Sequence, residues 1–459
     1  MSQTAAPVSP YRDIARIAVP VSLEMVFQLA LGFVDQVIVG VLGALAIASV
    51  GFANSITFIF VLVLSTLGSG AAILVARAHG AGSYSHVSRT SGAALVIGVL
   101  AALLVSLPIA VVAAPFLRAV GATPDIAAAG LQYFQISILA LPLVVVGAVA
   151  SGTLRSLGHP RTPMTVTLLA VLINTLFAWL LVFGVGPFPE LGLVGAGWAT
   201  LIAQAFKAAV LLVQLYGPRG LVRWALPLGY PEWRETSRKL LSLTAPLTVT
   251  ELFWTVGTFL YTVFFTRLGV QELAGSQIVN ALEGIFVVGS FGLMSAAMTL
   301  IGQAVGQGNA ALARARAALI LRMGLLTGVG FGLAYVATAL FLPRFYPQVG
   351  QEVLTVAVWG ILINGAFQAV KVRNMILGAG VLPSGGDGRG VILGDVISAF
   401  VVGLPAAYLL GFVLGFGAWG VFWARILEEL AKVAIFTVRA RKLRWEAVVS
   451  SPQALAEAA

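Results

Sequence analysis

Ala18–Gly43 reads AVPVSLEMVFQLALGFVDQVIVGVLG. It is apolar and long enough to cross a bilayer, yet it carries two acids, Glu24 and Asp35, and a proline, Pro20. At about 100° per residue on a helix, Glu24, Gln28 and Asp35 fall within about 40° of one another, one polar line on an apolar cylinder. An ionised carboxylate near the bilayer interior costs several kcal/mol. The line therefore has to face a helix bundle or a water-filled cavity, which makes its members candidates for function.

Composition supports a chain built from such segments. Of 459 residues, 59% are hydrophobic and 10% charged, and the mean hydropathy is +1.00. Soluble domains are about a quarter charged, so the chain reads as an all-α integral membrane protein with little room for a soluble domain. Its formal net charge is +10, but the basic residues sit at span ends and in alternate loops. Topology explains that excess without nucleic acid. With no cysteine, disulfides, thiolate metal sites and thiol nucleophiles are excluded. His79, His86 and His159 fall in predicted loops, away from any intramembrane metal centre or proton relay. The leading MSQTAAPVSPYRDIAR is polar and reads as a cytoplasmic tail, not a signal peptide.

Twelve apolar runs are expected as spans, near 16–41, 46–76, 90–115, 126–155, 163–187 and 192–216, then 240–267, 273–305, 317–342, 351–380, 390–412 and 415–438. Arg77, Arg155, Arg238, Arg316, Arg389 and Arg441 are among many basic residues on one side. Only Arg118, Arg267 and Arg344 fall on the other. The positive-inside rule then places both termini in the cytoplasm of a cell-membrane protein.

The two halves repeat. At an offset of 226, Pro20 recurs as Pro246, Gly43 as Gly269 and Asn54 as Asn280, and VARAHGAG ending at Gly82 recurs as IGQAVGQG ending at Gly308. At an offset of 228, GTLRSLGHPRT from Gly152 matches GVLPSGGDGRG from Gly380. Each repeat holds six spans, an even number, so the two run parallel. The expected organisation is a six-helix lobe over 1–222, a linker over 223–239, and a second lobe with a short tail over 240–459.

Asp35 is the leading chemical candidate. The alternative is an interfacial aspartate hydrated from outside, which Gly32 and Gly40 weigh against by suggesting close helix contact at its depth. A buried carboxyl group favours its neutral form, so Asp35 is suited to taking a proton from one side and releasing it to the other. Glu24 reads as a solvated or structural acid. In the seventh span, Thr248, Glu251, Thr255, Thr258 and Thr262 form a polar line. Its hydroxyls can bind Na⁺ beside Glu251 or bond back to their own helix. The eighth span adds Gln277, Asn280 and Glu283. The tenth adds Asn364, Gln368 and Lys371 on one face, with Lys371 either paired to Glu251 or Glu283 or directed towards the cytoplasm. Arg425, Glu428, Glu429 and Lys432 are expected to neutralise one another, with Asp395 as a further partner. The turns SLGHPRT and SGGDGRG lack phosphate-loop spacing, and no Ser-His-Asp group or metal-ligand spacing occurs.

These residues resemble the multidrug and toxic compound extrusion (MATE) family. The similarity lies in AVPVSLEMV, GFVDQVIVG around Asp35, ARAHGAG, APLTVTELFWTVGTFL, LIGQAVGQG and the glycine turn near Asp387, and it covers nearly the whole chain. The resemblance implies two six-helix lobes in a V around a central cavity, as in the multidrug/oligosaccharidyl-lipid/polysaccharide flippase superfamily. It also implies alternating access and export driven by H⁺ or Na⁺, with no cofactor. Asp35 then matches the coupling aspartate of the first lobe, with Asn174 as its polar partner, and Glu251 matches the seventh-helix glutamate of NorM-type members. Lys371 departs from the pattern, because NorM-type members carry an acid at that place. H⁺ coupling through Asp35, as in the DinF-type branch, is therefore favoured over Na⁺ at Glu251.

The expected function is antiport of amphipathic, cationic organic compounds by a monomeric carrier. Phe27, Phe253 and Trp254, with the polar residues Gln28, Asn54, Thr255, Asn280, Glu283, Gln368 and Lys371, are candidates for the substrate cavity. The alternative is a lipid or lipid-linked glycan flippase, with Lys371 and Arg373 as phosphate ligands. More distant is an intramembrane enzyme, for which no nucleophile or metal set is found.

Overall fold

A run of apolar residues in lipid has to satisfy its backbone internally, which leaves the helix as the economical solution. The computed structural model describes residues 10–450 and is helical throughout its spans. We number the long helices α1 Pro10–Gly40, α2 Ala44–Gly80, α3 Tyr84–Val111, α4 Pro124–Ser156, α5 Arg161–Phe183, α6 Leu193–Tyr216, α7 Gly229–Leu268, α8 Val270–Gly306 and α9 Ala310–Thr338. The set closes with α10, made of Gln351–Ala366 and Gln368–Ser384, then α11 Gly388–Val413 and α12 Gly417–Arg441. Among the described residues, ten are long and apolar enough to cross a membrane, and the bent pair forming α10 makes eleven. The twelfth expected span is α12, a full-length helix whose Arg425, Glu428, Glu429 and Lys432 make it too charged to count on apolarity alone.

α1 begins at Pro10, so the expected tail is helical from there. Its first nine residues, like the end of the chain after Ser450, lie outside the described residues. His79 and His86 sit in the terminal turns of α2 and α3 rather than in loops, and His159 follows α4.

The repeated glycines have a backbone reason. Gly43 and Gly269 have φ of 100° and 153°, Gly82 and Gly308 have 75° and 69°, and Gly158 and Gly386 have 84° and 80°. Each ends a helix or opens a turn in a conformation that a side chain resists.

Contacts divide the chain into two compact units. One is Leu23–Thr244, and the other joins the described residues before Leu23 to those from Ala245 onward. Thus α1 and α7 each change unit within two residues of the repeated prolines Pro20 and Pro246. A proline removes one backbone hydrogen bond from the helix and weakens it there. The start of α1 packs on α8, where Ser22 Oγ donates to Gly289 O at 3.2 Å and the backbone of Ala18 crosses Gly292. The start of α7 packs on α2, where Thr244 lies on Gly70. Ala18 and Thr244 are themselves related by the offset of 226.

In the Leu23–Thr244 unit, Gly68 and Gly152 let α2 and α4 meet backbone to backbone, around a core that includes Phe134, Leu141, Val145 and Val149. In the other unit, Gly324, Gly328 and Gly332 form a smooth face of α9 that receives Ile376, Ala369 and Gly365 of α10. Small residues allow such close approach where lipid offers no hydrophobic drive between helices. α10 bends by 56° at Phe367, a break within the run expected as one span over 351–380.

Candidate cation-coupling site

The polar line of α1 is divided by its surroundings. Glu24 is 1% exposed, Gln28 is exposed and Asp35 is partly buried. Arg155 Nη2 donates to Glu24 Oε2 at 2.7 Å, Thr167 Oγ1 donates to Oε1 at 3.2 Å, and Lys207 Nζ stands 3.8 Å from Oε1. Glu24 is therefore a structural acid but not a solvated one: it is buried because two cations and a hydroxyl replace its water. Sequence reading did not assign Lys207 a partner, although a lysine inside the span 192–216 carries the same signal as Lys371.

Asp35 has a different setting. It lies within electrostatic reach of Tyr133, whose hydroxyl donates to Asn54 Oδ1 at 2.8 Å. Among the described residues no cation pairs with Asp35. Asn174 is fully buried on α5, donates from Nδ2 to Thr200 Oγ1 at 3.4 Å, and has no hydrogen bond to Asp35. Its Oδ1 is left without a partner among the described residues. The glycines flanking Asp35 do not mark close helix contact. Gly32 looks onto open space, and Gly40 meets only the tip of Ile47 at an ordinary 3.9 Å, so lack of steric demand, not tight packing, describes them.

In the other unit the ionisable groups form a chain. Lys371 Nζ donates to Glu283 Oε1 at 2.5 Å and to Asn364 Oδ1 at 2.6 Å, so its partner is Glu283 and not Glu251. Arg425 Nη1 donates to Asn280 Oδ1 at 2.9 Å and lies 5.7 Å from the ring centre of Tyr261. The Tyr261 hydroxyl donates to Glu428 Oε2 at 2.7 Å. Lys432 Nζ stands 3.1 Å from Asp395 and 3.6 Å from Glu428. Glu251 lies near Asp395 without a cation of its own among the described residues. Thr255 and Thr262 bond back to carbonyls of α7, which weakens a hydroxyl site for Na⁺ there. Gln368 is fully buried with neither carboxamide atom partnered among the described residues. No group of three His, Cys, Asp or Glu side chains that could hold a metal ion occurs among the described residues.

The family model MatE matches residues 20–180 and 246–409, one segment in each repeat and each beginning at a repeated proline. The chain belongs to the MATE family. The probable multidrug resistance protein NorM of Deinococcus radiodurans is 30% identical, over 95% of this chain and 97% of that protein. The NorM protein of Agrobacterium fabrum, likewise described as a probable multidrug resistance protein, is 26% identical over 94% and 93%. A solved structure described as an outward-facing conformation of a multidrug resistance MATE family transporter superposes with a TM-score of 0.85 at 19% identity, covering 96% of this chain and 97% of that one. It supports the MATE fold. As a MATE protein the chain is an integral membrane transporter, not an enzyme, and its acids are candidates for ion coupling and cargo recognition rather than for bond making.

Proposed function

We propose that this MATE transporter exports amphipathic organic compounds, cationic ones foremost, in exchange for H⁺ by alternating access, with Asp35 carrying the proton. The observation behind this reading is the contrast along α1. Glu24 is held by Arg155 and Lys207, an acid fixed by two cations. Asp35 has no such clamp among the described residues and is free to change charge. The likeness to NorM proteins, described as multidrug resistance proteins, supports the cargo class.

With both termini in the cytoplasm, Asp35 lies in the outer half of α1 and meets protons from outside. Protonation removes a charge beside Tyr133. α1 can respond by bending at Pro20, where one backbone hydrogen bond is missing, and cargo leaves outward. Deprotonation on the inner side resets the carrier, a population shift driven by the differing proton affinity of the two states. For a neutral cargo, one proton entering down 100 mV supplies about 2.3 kcal/mol, roughly a fifty-fold gradient. For a monovalent cation the exchange is electroneutral and the pH difference drives it. The carrier works as a monomer in this reading.

Glu251 supports a second reading, Na⁺ coupling, because it faces Asp395 without a cation of its own among the described residues. The flippase alternative needs Lys371 and Arg373 free to meet phosphate. Lys371 is engaged by Glu283, and Arg373 Nη2 points to Thr437 Oγ1 at 3.5 Å. The deciding experiment is dye transport in inverted vesicles with pH and Na⁺ gradients imposed separately. Proton coupling requires that a pH gradient alone drives transport and that Asp35→Asn abolishes it. Transport driven by Na⁺ and lost in Glu251→Gln moves coupling to the other unit.

A further inference from the structure

We infer that the ammonium of Lys371 is a tethered occupant of a monovalent-cation site whose oxygen ligands are Glu283 Oε1 and Asn364 Oδ1. The inference does not depend on which residue carries the coupling ion.

Nζ lies 2.5 Å from the carboxylate oxygen of Glu283 and 2.6 Å from the carboxamide oxygen of Asn364, with Glu283, Asn364 and Lys371 all buried. Asn364 cannot turn its amide nitrogen to this point, because Nδ2 is committed to Gly360 O at 2.8 Å. Its oxygen is therefore held towards the positive charge. An anionic oxygen and a neutral oxygen facing one point are the ligand types that hard cations take.

The placement also says why this site would not exchange ions in the native chain. The positive charge arrives on the side chain of α10 and cannot leave. In this structure Glu283 is compensated by Lys371, with the Arg425 guanidinium also within electrostatic reach. Shortening Lys371 to alanine would leave the carboxylate and the carboxamide oxygen around a vacated, buried volume that a small cation such as Na⁺ can fill.

The full-length protein, purified in detergent, tests this with radiolabelled Na⁺ binding and with thermal unfolding in NaCl, KCl or choline chloride at equal ionic strength. Relative to wild type, Lys371→Ala is expected to gain one saturable Na⁺ site and a higher unfolding temperature in NaCl than in choline chloride. Both gains are expected to vanish in Lys371→Ala/Glu283→Gln, which needs no cation. Recovery of folded Lys371→Ala only in NaCl or KCl supports the inference equally. It is overturned if folded Lys371→Ala binds no more Na⁺ than wild type, if the gained site survives in the double variant, or if Lys371→Ala fails to fold in all three salts.

Discussion

Arg155 Nη2 and Glu24 Oε2 meet at 2.7 Å although 131 positions separate them, and this pair ties α1 to α4 inside the Leu23–Thr244 unit. Asp35, eleven residues farther along the same helix, has no comparable tie among the described residues. The two acids of one span therefore have different surroundings: Glu24 ties helices together, and Asp35 is the proposed proton carrier.

Glu24→Gln is expected to lower stability by about 3 kcal/mol, because the partly buried Arg155 and Lys207 lose their anion. Asp35→Asn breaks no ion pair and is expected to cost about 1 kcal/mol or less. Denaturation midpoints in one detergent compare them directly. Equal losses would remove the distinction on which the proton assignment rests.

Tyr133→Phe deprives Asn54 Oδ1 of its donor and is expected to cost about 1 kcal/mol. Asn54→Ala removes the same bond from the other end. A double variant that costs clearly less than the sum of the singles would show that the two side chains act as one unit. Full additivity would show that their hydrogen bond contributes nothing.

Much of this was legible in the chain itself. Pro20 and Pro246, and the glycine pairs that turn out to have positive φ, announced the repeat because such positions depend on the local backbone alone. The spacing of Asn364 and Lys371 brings those two together, but Gln368, just past the bend at Phe367, lies against Gly332 of α9 without joining them. What periodicity does not carry is the partner on another helix. Lys371 had Glu251 and Glu283 as alternatives, and only packing selects Glu283. Glu24 was read without Arg155 and Lys207 because its pairing is set by the approach of α1, α4 and α6. Gly32 and Gly40 misled for the same reason: a small residue permits close approach but does not require it.

Glycine substitutions distinguish permission from requirement. An alanine Cβ at Gly292 runs into the backbone carbonyl of Ala18, whereas at Gly70 it meets the hydroxyl of Thr244, which can rotate away. Gly292→Ala is expected to cost about 1–3 kcal/mol, and Gly70→Ala less. Gly32→Ala meets nothing within 4 Å and is expected to leave stability intact. The order of unfolding temperatures checks all three, and a loss at Gly32 matching that at Gly292 would contradict it.

Asp387 closes the turn between α10 and α11. Its Oδ1 accepts from Gly390 N at 3.0 Å, and its carboxylate takes two hydrogen bonds from Arg439 at 2.7 and 2.5 Å. Asp387→Asn keeps a good helix cap while losing the charge, and Asp387→Ala loses both. Alanine is expected to be the worse by about 1 kcal/mol. Chemical denaturation at two salt concentrations separates the parts, because only the charge component weakens with salt.

The passage of α1 from one unit to the other at Pro20 sets an order of events during synthesis. Domains fold as units as the chain emerges, the earliest first. The Leu23–Thr244 unit has all its residues once Thr244 is made, but Ser22 bonds Gly289, 267 positions later. The start of α1, made before that unit, is thus seated only after the unit is complete. Until α8 is inserted, that end has to be sheltered by lipid or by the insertion machinery, and a chain interrupted in between would leave it without a seat.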